Sequence, residues 1–290
     1  MTPTEVRALL AELDRRLGRD LAGFWRAIAQ SDPAQFRALL VDAYPEIIAP
    51  YEATAIELGT QWYDESPSTT PYRAKPVGLA PPQQLSESAL WALNSTSGEA
   101  GLTVLLGSAS RTLMNGLRDT VVANAAAEPG ARWVRHASAN ACSFCRMLCT
   151  RHVGPNATFY RSEDASTRVV GRSIDLTVAD RRAIAAGLMT REEALASRAY
   201  YSDSRAAAKV GRSVGEAKLR RPRGTRDLGE KYHDNCHCLS VMVRPGGSYT
   251  PPPYVDDWNE QYIQAREAAG GDTTKIITEM DRMSRGARTR

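Results

Sequence analysis

Apolar residues recur at helical spacing along the first part of the chain. In TPTEVRALLAELDRRLGRDLAGFWRAIA, the positions Val6, Leu9, Leu10, Leu13, Leu17, Leu21, Phe24 and Ile28 repeat with the helical period. Thr2 is placed to cap and Pro3 suits the first turn, so an amphipathic helix is predicted from the start of the chain. Ser31, Asp32 and Pro33 restart the pattern, which continues to Glu65. Pro45 and Pro50 are expected to kink or split this second helix, because each removes a backbone donor and crowds the preceding turn. The two segments are expected to pair as an antiparallel hairpin.

Five prolines between Ser66 and Gln84 and the loss of periodicity predict an extended linker or surface crossing. From Leu85 to about Ala127 the residues Leu90, Leu93, Leu102, Leu105, Leu106, Leu113, Leu117 and Val121 favour helix again, with a break near Gly98 and Gly101. The texture then changes. Trp133 and Val134 suggest a short strand, and Leu239, Val241 and Val243 alternate as a second. Between them, Thr177 is a plausible cap for a helix that runs through TVADRRAIAAGLMTREEALASRAYY. The fold class is α+β: a helical region 1–127 containing the linker 66–84, a small mixed domain 128–245, and a partly ordered arm 246–290 with one or two short polar helices.

A chain of 290 residues with 42% hydrophobic and 24% charged side chains can bury a core without cysteine staples. Charges interrupt the N-terminal segment every few residues and no window reads as a membrane helix, so the expectation is a cytoplasmic product that makes no membrane contact. A net charge of +4 does not by itself imply nucleic acid. Its distribution matters more: between Arg205 and Lys231 nine basic residues face three acidic ones. Lys218, Arg220, Arg221, Arg223 and Arg226 in this run are candidates for phosphate contacts, where each neutralised phosphate adds salt-sensitive affinity. A solvated loop, or a surface for an acidic protein, is the competing reading.

All five cysteines fall in two short stretches, NACSFCRMLCT and YHDNCHC. Cys142 and Cys145 have the C-x-x-C spacing with which one tight turn presents two thiolates to a tetrahedral zinc. His233, Cys236 and Cys238 can complete a Cys3His or Cys2His2 set, and thiolates with imidazole favour Zn2+ over Mg2+ or Ca2+. The preferred ligands are Cys142, Cys145, His233 and Cys236, with Cys238 in close competition because residues two apart on a strand share a face. Cys149 and His237 rank lower, and His136 and His152 read as surface residues. Four protein ligands close the coordination sphere, which makes a structural zinc the expectation; small buried thiols are the competing reading. GRSVG at 211–215 matches a nucleophile-elbow pattern but lacks the apolar strand before it. A zinc-stabilised nuclease using His237 as general base is the alternative function, although no second acidic cluster is present to hold a catalytic magnesium.

WVRHASANACSFCRML, FYRSEDA and RGTRDLGEKYHDNCHCLSVMV together resemble the minor head proteins of tailed bacteriophages related to the F protein of phage Mu, in their actinobacteriophage branch. The resemblance extends from Arg132 to Val243; TRHVGPNATFY is longer than the usual turn and Cys149 is an extra thiol. It implies a minor capsid protein with a role in head morphogenesis or DNA packaging, made in the host cytoplasm and placed inside the capsid near the portal vertex. The implied partners are the portal protein, scaffold or major capsid protein, and DNA. It also implies metal binding at Cys142, Cys145, His233, Cys236 and Cys238; the expectation drawn from the whole reading is a virion or procapsid component and not an enzyme.

Overall fold

Thr2 opens the first helix through a reciprocal capping box: its Oγ1 accepts from the Glu5 N–H at 3.3 Å, and Glu5 Oε2 accepts from the Thr2 N–H at 2.7 Å. The computed structural model describes residues 1–95, 98–150, 187–188, 232, 235–269 and 273–288. Helix α1 spans Pro3–Ile28 and buries Val6, Leu10, Leu17, Leu21, Trp25 and Ile28. Leu9 lies at the edge of this stripe and stays 48% exposed. Asp32 caps α2, Pro33–Glu65, by accepting from the Ala34 and Gln35 N–H groups. The two helices are antiparallel. Trp62 near the end of α2 donates to the Met1 carbonyl at 2.9 Å, while Trp25 and Phe36 meet edge to face beside the turn.

Helix α2 is not split at Pro45 or Pro50. Pro45 leaves the carbonyl of Val41 without its usual donor, and Ser86 of helix α3 (Pro82–Ser95) supplies one at 3.1 Å. The packing of a neighbouring helix therefore offsets the local penalty. Helix α4, Glu99–Ala127, follows the expected break and crosses α2 at small residues. A Cβ at Gly116 would meet the Glu52 carbonyl at 3.1 Å, and one at Gly59 would meet the Leu117 backbone at 3.2 Å, so both glycines permit the close approach.

After α4 comes strand β1, Arg132–His136, which pairs antiparallel with β2, Leu239–Val243, in the register Val134 opposite Val241. Helix α5, Ser143–Cys149, lies between the strands in sequence; α6, Tyr254–Ala269, and α7, Thr273–Arg288, follow β2. The described fold is thus α+β, mostly helical with one two-stranded sheet. One apolar cluster runs from α1 through α4 onto Trp133, Val134, Val241 and Val243, and a second holds four of the cysteines with Val255 and Trp258. The chain divides into two compact units, Met1–Ser162 with Tyr232–Arg290, and Glu163–Lys231. Nearly all of the second unit, including the helix expected after Thr177, lies outside the described residues.

The proline-rich segment after α2 has no helix or strand up to Pro81, where the expected stretch to Gln84 gives way to α3 at Pro82, and it is tied down along its length. Asp64 accepts from the Ala74 N–H, Asn124 brackets Lys75 through both its amide atoms, and Glu52 accepts from the Ala80 N–H. At its start sits a buried ion pair that no local pattern announces. Glu128, just past α4, accepts from Arg244 at 2.9 and 3.1 Å and from the hydroxyls of Tyr63, Ser68 and Thr70. Arg244 also donates to the carbonyls of Tyr63, Ser66 and Tyr72, and so satisfies the open C-terminal end of α2.

Candidate metal centre

Cys142 is the N-cap of α5, with an extended backbone, and makes no side-chain capping bond. One turn later Cys145 points inward and is 1% exposed. The other half of the centre begins at Asn235, whose left-handed φ of 58° turns the chain into β2; asparagine tolerates this conformation better than most residues. From there the side chains alternate: Cys236 and Cys238 are buried and His237 is exposed.

The sulfurs of Cys145, Cys236 and Cys238 all lie within 4.8 Å of one another, and Cys145 and Cys236 are 3.5 Å apart. None is in a disulfide. Zn–S bonds of about 2.3 Å in a tetrahedron place sulfurs roughly 3.8 Å apart, so this donor set fits a thiophilic cation. Cys142, at the exposed side, is the hydrogen-bond neighbour of Cys145. Cys149 is buried in the same apolar cluster but outside the sulfur triangle.

Shared protons dominate the electrostatics. Hydrogen bonding with Cys142, Cys236 and Cys238, followed by burial, pushes the Cys145 thiol well up. Donation from Cys145 and Cys238 pulls Cys236 far down, and the nearby Arg118 cation acts in the same direction. For Cys238 the bond with Cys145 works downward, but Cys236 and burial outweigh it and carry the thiol up to about 12. Burial also raises Cys149. A divalent cation bound here would take the place of the thiol protons, because metal-ligating cysteines bind as thiolates.

Buried cations surround it. Arg135 of β1 donates to Cys145 Sγ at 3.8 Å, and the guanidinium groups of Arg118 and Arg135 each lie 3.8 Å from the centroid of the Tyr232 ring. The Tyr232 hydroxyl pairs with Ser240 Oγ at 2.8 Å. On the other side α5 is fastened to the C-terminal helices: Ser143 donates to Asp281, and Arg146 donates to Ser284 at 2.6 Å and sits over the Trp258 ring.

Of the sequence candidates, then, the structure brings Cys145, Cys236 and Cys238 together, with Cys142 next to Cys145. His233 lies outside the described residues, as do Lys218, Arg220, Arg221, Arg223 and Arg226. Arg118, Arg135 and Tyr232 were not anticipated. The signal for Arg118 was a cation on the apolar stripe of α4, in step with Met114, Val121 and Ala125.

The chain belongs to the VG15 protein family, whose members are phage-associated; the match covers residues 3–167 and 193–265. It therefore takes in the helical region and both cysteine stretches. No curated protein and no solved structure matches the chain. Among the described residues no helix is long and apolar enough to cross a membrane.

Proposed function

We propose that this phage protein is a minor head protein, present in the procapsid and virion near the portal vertex, in which a structural Zn2+ joins the two cysteine stretches. The observation that carries the reading is the convergence of Cys145 with Cys236 and Cys238, because these residues belong to the two motif halves on which the resemblance to Mu F-like proteins rests. Cys145, Cys236 and Cys238 would hold the ion with Cys142 as fourth donor; His233 is the other candidate from the sequence. Bound zinc would supply a cross-link and folding free energy, and four protein donors would leave no position for a reacting water. On this reading the protein is not an enzyme. Its partners are the portal, scaffold or major capsid protein, and DNA is a further candidate partner through the basic sequence run at 205–231, which lies outside the described residues.

Mass spectrometry of purified procapsids and virions, with co-purification on the portal ring, tests the proposal. Presence in particles at a few copies is the expected result, and absence from both would overturn it. Cleavage of duplex DNA with Mg2+ or Zn2+ that disappears in His237→Ala would instead establish the nuclease reading.

A further inference from the structure

Arg118 is 1% exposed, and a guanidinium so deeply buried must have its donors satisfied and its charge compensated. Its Nε donates to the Cys238 carbonyl at 2.8 Å, its Nη2 donates to the Cys236 carbonyl, and its Nη1 donates to Asn115 Oδ1 at 3.2 Å. Its face lies on the Tyr232 ring. No carboxylate is among these partners. Among the described residues, Cys236 and Tyr232 are ionisable groups on which its charge acts.

The geometry is specific. The fork spans the carbonyls of the two residues on either side of His237 and fixes how the C-x-C turn is oriented. With the Cys236 and Cys238 carbonyls both held toward α4, the alternation of the strand sends both sulfurs to the same side, where Cys145 meets them. A planar, rigid donor set can do this, and a lysine ammonium cannot reproduce it.

We propose that Arg118 is the positioning residue of the metal site: from α4 it presets the Cys236–Cys238 turn for a thiophilic divalent cation and compensates the negative charge of a multi-thiolate ligand set. The proposal rests on the reading of the cysteine cluster as a zinc centre. It makes metal occupancy a property of the helical region as well as of the cysteine loops, since the group that shapes the site comes from the middle of α4.

The test uses the full-length protein, reduced and stripped of metal. Zn2+ affinity is measured by competition with a chromophoric chelator, and ligand geometry by the absorption bands of the Co2+-substituted protein. Arg118→Met should weaken zinc binding about 10–100-fold, the range seen when groups that orient metal ligands are removed. Arg118→Lys, which keeps the charge and loses the fork, should be weaker by at least several-fold, and both variants should alter the cobalt bands. Helical circular dichroism identifies variants that fold; if neither does, Asn115→Ala, which removes only the amide holding Nη1, carries the comparison and should lose affinity several-fold. A folded variant with wild-type affinity and a superimposable cobalt spectrum overturns the role of Arg118 and leaves the zinc reading standing. Wild-type protein that binds no zinc overturns both.

Discussion

Replacing Glu128 by Gln removes the charge from the centre of the most buried ion pair among the described residues while leaving the shape almost unchanged. The side chains of Arg244 and Glu128 are 3% and 0% exposed, and the carboxylate accepts from Arg244 through both oxygens. Burial alone would raise the Glu128 pKa; hydrogen bonds from Arg244, Thr70 and Tyr63 overcome it and hold the carboxyl at about 2, below its ordinary 4.5. A carboxyl depressed in the folded state stabilises that state above its unfolded pKa, and the contribution fades as pH falls toward the folded value. The drop from 4.5 to about 2 is worth ~3 kcal/mol at neutral pH, roughly 1.5 kcal/mol at pH 3 and ~0.4 kcal/mol at pH 2. In Glu128→Gln the Arg244 cation also remains buried without its counter-charge, which makes ~3–5 kcal/mol the expected loss at pH 7. Urea titration followed by tryptophan fluorescence measures it, and all five tryptophans (Trp25, Trp62, Trp91, Trp133 and Trp258) report on the unit that holds the pair. The gap between wild type and variant should narrow steadily from pH 5 to pH 2. A loss below about 1 kcal/mol at pH 7, or a gap that does not change with pH, would refute the assignment of this pair as the main tie between α2, α4 and β2.

Three other outcomes follow from the packing and the cluster. Cys145→Ser should abolish stoichiometric zinc and remove the chelator-sensitive part of the melting temperature; elemental analysis and thermal scans with and without chelator decide it, and unchanged zinc content would contradict the convergence of the sulfurs. Gly116→Val should cost about 1–3 kcal/mol in urea titrations, because its branches must displace the Glu52 carbonyl, whereas Gly23→Ala, with open space around it, should gain up to ~1 kcal/mol. Ser86→Ala should cost roughly 1–2 kcal/mol by leaving the Val41 carbonyl unsatisfied, and Pro45→Ala should abolish that cost by restoring the helical N–H; an undiminished loss in the double variant would show that Ser86 acts in some other way.

The elements readable in advance were those whose signals are local. The cap at Thr2, the stripe of α1, the break before α4 and the strand β2 all depend on residues within a few positions of one another, and all appear in the fold, although β2 is buried at all five residues rather than on alternate ones. The continuity of α2 was hidden because its remedy, Ser86, is 45 positions from the carbonyl it serves. Arg244 was hidden for the same reason, since its partners are spread over α2, the proline-rich segment and the end of α4. The tail read as short polar helices, yet Val255, Trp258, Tyr262 and Ala265 form a buried stripe on α6, sparse enough to be masked by the charges around it. In the metal centre, cysteine spacing named the two stretches that meet but preferred Cys142 to Cys238, whereas the sulfur triangle holds Cys145, Cys236 and Cys238; the cations beside it come from α4 (Arg118) and from the pairing of β1 with β2 (Arg135).

The proximity of Cys145 and Cys236 also bears on how this chain tolerates change. Cys145 and Cys236 stand 91 positions apart in the chain yet their sulfurs meet, beside a Tyr232 ring that is clamped between two arginines. The contact is therefore one that closes a long loop of sequence. The entropic cost of such a closure grows slowly, by only about 0.6 kcal/mol for each doubling of loop length. Changes in the number of residues between the two cysteine stretches should therefore alter the stability of the sulfur cluster only slightly.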